Sequence, residues 1–152
     1  MKVFVTGARG FIGRALLDRY RAAGARVAGV DRRAEPEFSV VAGDVVDPEP
    51  WSELMRSADV VFHSAAMVSN TAPKDAIWQV NVLGTRRVVE AAARAGAGRL
   101  VHFSSIAAFG FDLPAEAAET HPVRPNGNPY VDSKIAAEQV VLQAHAAGEI
   151  EC

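Results

Sequence analysis

Tyr130 and Lys134 stand at i and i+4 in the segment PYVDSK, and Ser105 lies upstream in FSSIAAFG. On a helix that spacing puts both side chains on one face. A phenol at its unperturbed pKa of ~10 is a poor base near neutral pH and needs help. A nearby ammonium supplies that help by favouring phenolate. With Ser105 holding a substrate oxygen by hydrogen bond, Tyr130 could then move a proton on or off that oxygen. The spacing alone does not establish this chemistry, because YxxxK arises by chance in many helices.

A second constellation lies at the other end of the chain, in Thr6-Gly7-Ala8-Arg9-Gly10-Phe11-Ile12-Gly13. Gly7 permits a tight turn, Gly10 lets backbone approach a pyrophosphate, and Gly13 lets a helix pack closely on a strand. The helix opening there offers amide N–H groups and positive dipole to an anion. The spacing is GxxGxxG, not the commoner GxGxxG. Asp31 ends the next apolar run, near the ~20-residue distance of a carboxylate that accepts adenosine ribose hydroxyls. A carboxylate there favours NAD, whereas Arg9, Arg32 and Arg33 could each receive the 2′-phosphate of NADP, so both dinucleotides stay open. A dinucleotide loop together with a Ser/Tyr/Lys set points to hydride chemistry on a carbonyl or alcohol. The positive charge of an oxidised nicotinamide would favour the phenolate further.

These residues need a scaffold, and the chain alternates short apolar runs with amphipathic stretches, as a parallel α/β sheet does. Strands are expected at 3–5, 26–31, 38–42, 59–63 and 99–103. Helices are expected at 11–23, stopped by Gly24, and from about 73 to 95, with Ile77, Val80, Gly84, Val88 and Ala91 on one stripe. A short helix capped by Asp47, with Pro48 in its first turn, would carry Trp51, Leu54 and Met55. Residues 112–128 read as a loop, and Asn128-Pro129 caps a last helix running to about residue 147. Asp44 could cap a turn or accept the adenine amino group. His63-Ser64-Ala65-Ala66 closes a strand with small residues that suit close passage of a cofactor. His63 and His102 read as packed strand residues, and His121 and His145 have no metal-ligand spacing. Glu149-Ile150-Glu151-Cys152 reads as the approach to a sixth strand, so the expected sheet is incomplete on that side.

At 152 residues with 49% hydrophobic and 22% charged residues, the chain is expected to form one dinucleotide-binding domain over residues 1–152. The net charge of −2 provides no field for nucleic acid or an anionic membrane. One cysteine, Cys152, excludes an intrachain disulfide and a Cys-based metal site. No apolar run approaches the ~20 residues of a transmembrane helix, and no signal peptide is evident, so the expected setting is cytoplasmic.

The landmarks VTGARGFIG, Asp31, GDVVD, VFHSAA, NVLGTRRVVEAA, FSSIAAFG and PYVDSKIAAE occur in an order that resembles the extended short-chain dehydrogenase/reductases, the NAD-dependent epimerases and dehydratases. The resemblance implies a Rossmann-type doubly wound parallel sheet, here without its sixth strand and the C-terminal substrate-binding part. It implies Tyr130 as catalytic acid/base, Lys134 holding the nicotinamide ribose, and Ser105 as their partner. Gly7, Gly10, Phe11, Ile12, Gly13, Asp31 and Arg32 would hold the cofactor, with Asp44 and Val45 at adenine, Ala65 and Ala66 lining it, and Asn81 as a supporting polar residue. It further implies a small-molecule substrate, foremost a nucleotide sugar, and a homodimer through the helices holding Asn81 and Tyr130. Dehydratases of the common sugar-nucleotide type carry an acidic pair just after the serine, where this chain has Ile106 and Ala107, so simple dehydration is disfavoured. Epimerisation, a hydroxysteroid-type oxidation and a non-catalytic dinucleotide-binding module stay open. Phe109, Ser64 and Arg9 depart from the residues common at their positions.

Overall fold

A computed structural model describes residues 1–110, 113–118 and 120–152. Five parallel strands form one sheet: β1 (Lys2–Thr6), β2 (Arg26–Asp31), β3 (Val40–Ala42), β4 (Val60–His63) and β5 (Leu100–His102). Their order, β3-β2-β1-β4-β5, reverses direction between β1 and β4 and is that of a Rossmann sheet. The period of two along each strand decides which side chains go to which layer. In β1, Phe4 points into one core with Val30, Trp51, Val61 and Leu100, while Val3 and Val5 point into the other with Leu17, Val40 and Phe62. Helix α1 (Phe11–Ala22) supplies Leu17 to the second layer. Helices α3 (Gly84–Arg94) and α4 (Pro129–Ala146) cover the first layer with Val88, Val89, Ala92, Val141 and Ala144. Each fully buried aliphatic side chain of this kind contributes roughly 1.5–3 kcal/mol relative to exposure.

The expected 73–95 helix forms, with one irregularity. Helix α2 (Lys74–Trp78) passes through a π turn at Gln79–Leu83 into α3 without leaving helical backbone geometry. Of the expected stripe, Ile77, Gly84, Val88 and Ala91 are buried and Val80 is half-buried. The helix expected to be capped by Asp47 does not form. A single 3-10 turn, Ser52–Met55, replaces it and begins only after Trp51. The cause is tertiary: Trp51 stacks on Phe4 with centroids 5.8 Å apart and its Nε1 donates to the Asp44 carbonyl at 3.0 Å. Strand β3 starts at Val40, two residues later than expected, because Pro36–Phe38 winds into a 3-10 turn and Ser39 takes a left-handed conformation at φ 55°.

The last helix is capped as expected, with the Asn128 side chain accepting from the amides of Tyr130 and Val131 at 2.9 and 3.2 Å. Beyond α4, Ile150 is buried in the first core layer and the Glu151 carbonyl accepts from the Leu100 amide at 2.8 Å. The final residues thus run along the outer edge of β5. On α4, Leu142 is exposed, Val140 is half-buried and Val141 is buried. Asp112, within the expected loop, lies outside the described residues.

Candidate active site

Four strand ends, the start of α1 and Val80 of the π turn converge on one cleft of about 750 Å³. Its floor is the turn after β1, with Gly7, Arg9 and Gly10. Gly7 needs its missing side chain twice over: its φ is +67°, and a Cβ would lie 2.8 Å from the Ala65 backbone at the end of β4. Gly13 is buried behind it, where a Cβ would run into the Gly7 carbonyl. The first turn of α1 holds no acidic residue, and its cap, Gly10, has no side chain to spend on the opening amides. Those N–H groups therefore face the cleft mouth as an anion-binding end. Phe11 sits there, 96% exposed.

One wall comes from the ends of β2 and β3, with Asp31, Arg32, Arg33, Asp44 and Val45. The Asp31 carboxylate accepts from the Arg9 amide at 3.0 Å, and its carbonyl accepts from the Gly43 amide at 2.8 Å. Asp44 does act as a turn cap, accepting from the Val46 amide at 2.9 Å, and it also faces the cleft. The opposite wall is Ser64, Ala65, Ala66 and Met67, continuing from β4. Gly7, Gly10, Asp31, Arg32, Asp44, Val45, Ala65 and Ala66 thus line one cleft. Gly13 supports it from behind.

Ser105, Tyr130 and Lys134 do not line that cleft. Lys134 is 3% exposed, and its Nζ donates to the Phe103 carbonyl at 2.5 Å, just beyond β5. Burial pushes its pKa down to about 8, partly opposed by the carboxylate of Glu138. Ser105 caps the 3-10 turn Ile106–Phe109, its Oγ accepting from the Ala107 amide at 3.3 Å. That leaves its O–H free to donate elsewhere. Tyr130 packs on the same small cluster as Ala107, Ala108 and Phe109, which brings its helix against the segment that carries Ser105.

Asn81, in the π turn, joins the two halves. Its Oδ1 accepts from the Met67 amide at 2.7 Å, and its Nδ2 donates to the Met67 carbonyl at 3.1 Å and to Ser133 Oγ at 2.9 Å. Ser133 Oγ in turn donates to the Tyr130 carbonyl at 2.7 Å. His63 extends this path, with Nε2 2.9 Å from Thr85 Oγ1 and Nδ1 2.7 Å from Thr6 Oγ1. Thr85 has one hydroxyl proton and gives it to the Asn81 carbonyl at 2.6 Å, so His63 Nε2 must be the donor and Nδ1 the acceptor. Burial, together with His102 and Lys134, holds the His63 pKa well below its usual value. His102, its ring tilted against that of His63 with centroids 5.4 Å apart, is pushed to about 3 by burial and then by Lys134. Both histidines are therefore neutral packing residues, as expected. Sequence reasoning missed Thr6, Thr85 and Ser133 as members of this path, since single hydroxyls on helices and strands carry no spacing signal.

The whole chain from residue 3 to 152 matches the family model described as the NAD dependent epimerase/dehydratase family. The chain belongs to that family. Among curated relatives it is 37% identical over 97% of its length to a 4-hydroxy-2-methyl-3-oxo-4-farnesyl-3,4-dihydroquinoline-1-oxide ketoreductase of Stigmatella aurantiaca, of which it covers 47%. It is 36% identical over its full length to a UDP-glucose 4-epimerase of Mycolicibacterium smegmatis, covering 54% of that protein. Among solved structures, a short-chain dehydrogenase/reductase superfamily protein from Agrobacterium tumefaciens with bound NAD superposes at a TM-score of 0.86 and 33% identity. That superposition covers 99% of this chain and 47% of the other. The chain therefore spans about half the length of the proteins it matches. Among the described residues, no helix is long and apolar enough to cross a membrane and no acid, histidine or cysteine cluster could hold a metal ion.

Proposed function

We propose that this chain carries the NAD-binding half and the proton-transfer residues of an oxidoreductase or epimerase acting on a secondary alcohol or ketone, with nucleotide sugars as the substrate class. The observation that carries this reading is the cleft at the ends of β1, β2 and β4, which has an anion-binding helix end on its floor and Asp31 on its wall. NAD fits those residues. The Gly7 turn leaves room that a Cβ would fill, the α1 amides suit a pyrophosphate, and Asp31 suits the adenosine ribose hydroxyls. Arg32 flanks Asp31, Asp44 and Val45 face the adenine side, and Ala65 and Ala66 leave the β4 end low. Bound NAD would supply the hydride acceptor or donor.

The remaining chemistry is the chain's own. Ser105 donates its free O–H to the substrate oxygen. Tyr130 takes the proton of a substrate hydroxyl, or returns it to an alkoxide formed from a ketone. Lys134, with a pKa of about 8, is ammonium over its free amine by roughly ten to one at pH 7. Held against β5, that charge suits a ribose hydroxyl. Asn81 holds the Met67 segment and α4 in register. The outer face of α2 and the π turn carries a groove of about 370 Å³ with Trp78, Val82 and Leu83, which supports a second copy as the partner there.

A second reading is reduction of a ketone on an apolar molecule without a nucleotide. Ile106, next to Ser105, is 72% exposed, and one of the relatives is named as a ketoreductase. Calorimetric titration of the chain with NAD⁺ and then NADP⁺, beside a Gly10→Asp control, tests the cofactor reading. Micromolar NAD⁺ binding that the added carboxylate abolishes is expected. A folded sample that binds neither dinucleotide would overturn it.

A further inference from the structure

The rim beside Asp31 holds Arg9, Arg32 and Arg33, more cations than an NAD site needs, and the structure pairs Arg9 elsewhere. Arg9 lines the cleft at the point where β2 ends, and its amide already binds Asp31. Its guanidinium does not turn to the cleft alone: Nε donates to Glu35 Oε2 at 3.2 Å. The same oxygen pairs with the Arg14 guanidinium, which reaches across from α1. Arg14 is held from a second side by the Phe38 ring, its Cζ 3.9 Å from the ring centroid. Glu35 itself is fixed at the backbone, exchanging hydrogen bonds with Val40 at 2.8 and 3.1 Å, and Pro36 follows it directly. One carboxylate on a pinned backbone thus occupies two guanidiniums. The pairing holds the Glu35 carboxyl below its usual range and raises Arg14.

We propose that Glu35 is a specificity-determining residue of the dinucleotide site: its carboxylate ties up Arg9 and Arg14, so that neither can receive an adenosine 2′-phosphate and Asp31 is left to select the unphosphorylated ribose. The inference rests on the NAD reading above and adds to it the reason an arginine-rich rim does not select NADP. A phosphate monoester would need bidentate or paired guanidinium contacts, and those are the groups Glu35 holds. Arg32 and Arg33 make no ion pair among the described residues, but each must work beside the Asp31 carboxylate, which repels the same phosphate.

The test is titration of the wild-type chain, Glu35→Gln and the double variant Glu35→Gln/Arg9→Met with NAD⁺ and NADP⁺ at low and high salt. Glutamine keeps the shape and the backbone pair while releasing the charge. The expected result is that the NADP⁺/NAD⁺ affinity ratio rises roughly tenfold in Glu35→Gln, falls back in the double variant, and rises less at high salt. A ratio within twofold of wild type in a Glu35→Gln protein that still binds NAD⁺ would overturn the role of Glu35 while leaving the NAD reading standing. Wild-type protein that binds neither dinucleotide would overturn both. Equal weakening of the two dinucleotides in Glu35→Gln would show Glu35 to be structural and overturn the proposal.

Discussion

Replacing Asn81 by leucine keeps the size of the side chain and removes every polar atom from it. Three partners lose their bonds: the Met67 amide, the Met67 carbonyl and Ser133 Oγ. The two Met67 groups are half-buried, so each is charged at the low end of the penalty for an unsatisfied group, about 1 kcal/mol. Ser133 keeps its bond to the Tyr130 carbonyl and loses one buried partner, about 1 kcal/mol more. The expected loss is about 3 kcal/mol, which for a chain of this size lowers Tm by roughly 6–12 °C. Urea unfolding measures the first figure and calorimetry the second. Because Met67 lines the cleft, NAD⁺ affinity should fall as well, in titrations run well below the new midpoint. Pairing Asn81→Leu with Ser133→Ala should recover about 1 kcal/mol of non-additivity, since both remove the same bond. A loss under 1 kcal/mol with unchanged NAD⁺ affinity would refute the idea that Asn81 ties the β4 loop to α4.

Two further outcomes follow from the buried histidines and the outer helix face. Unfolded histidine binds protons below about pH 6.5, while native His102 waits until about pH 3 and native His63 also titrates well below the usual value, so stability should fall as pH drops from 6.5. Each histidine contributes up to ~1.4 kcal/mol per pH unit, and His102→Phe should remove about half of that histidine slope in urea midpoints measured at pH 7, 6 and 5; an unchanged slope would refute it. Leu83→Arg, on the groove beside Trp78, should shift sedimentation from dimer to monomer, and a wild-type chain that sediments as monomer at high concentration would remove the basis for a partner on that face.

Much of the site could be read from residues because its signals are local. The glycine turn works through backbone space within a few residues, so Gly7 and Gly13 announce themselves by type and spacing. The Asn128 cap and Pro129 mark the start of α4 for the same reason, and that start sets the phase of Tyr130 and Lys134. Where the reading went astray, a contact distant in sequence had overruled local preference. Asp47, Pro48 and the apolar residues after them read as a helix, yet the indole of Trp51 bound to Asp44 and stacked on Phe4 holds the segment in another path. The π turn at Gln79–Leu83 left no trace in the apolar stripe, because one additional residue in a helix changes which side chain points inward without changing composition. The pairing of Glu35 with Arg9 and Arg14 joins three segments and has no pattern at all in the sequence.

The buried polar path from Thr6 to Tyr130 suggests why this fold spends hydrogen bonds where apolar packing would serve stability as well. Apolar contacts tolerate small slides of one helix over another, whereas a chain of directed donors and acceptors has one register. Here the register runs from the glycine turn through His63, Thr85, Asn81 and Ser133 to the backbone of Tyr130. Each hydroxyl has a single proton, so every link fixes the direction of the next. The neutral Nε2–H form of His63 is the only form that satisfies both neighbours without turning a hydroxyl away from its acceptor. Protonating His63 would therefore disturb the link at Thr6, next to Gly7, and the effect would be felt at the cofactor turn and at α4 together. With the proposed cofactor residues at strand ends and the proposed proton-transfer residues Tyr130 and Lys134 on α4, such a connection matters, because a misplacement near 1 Å between them is enough to cost most of the rate.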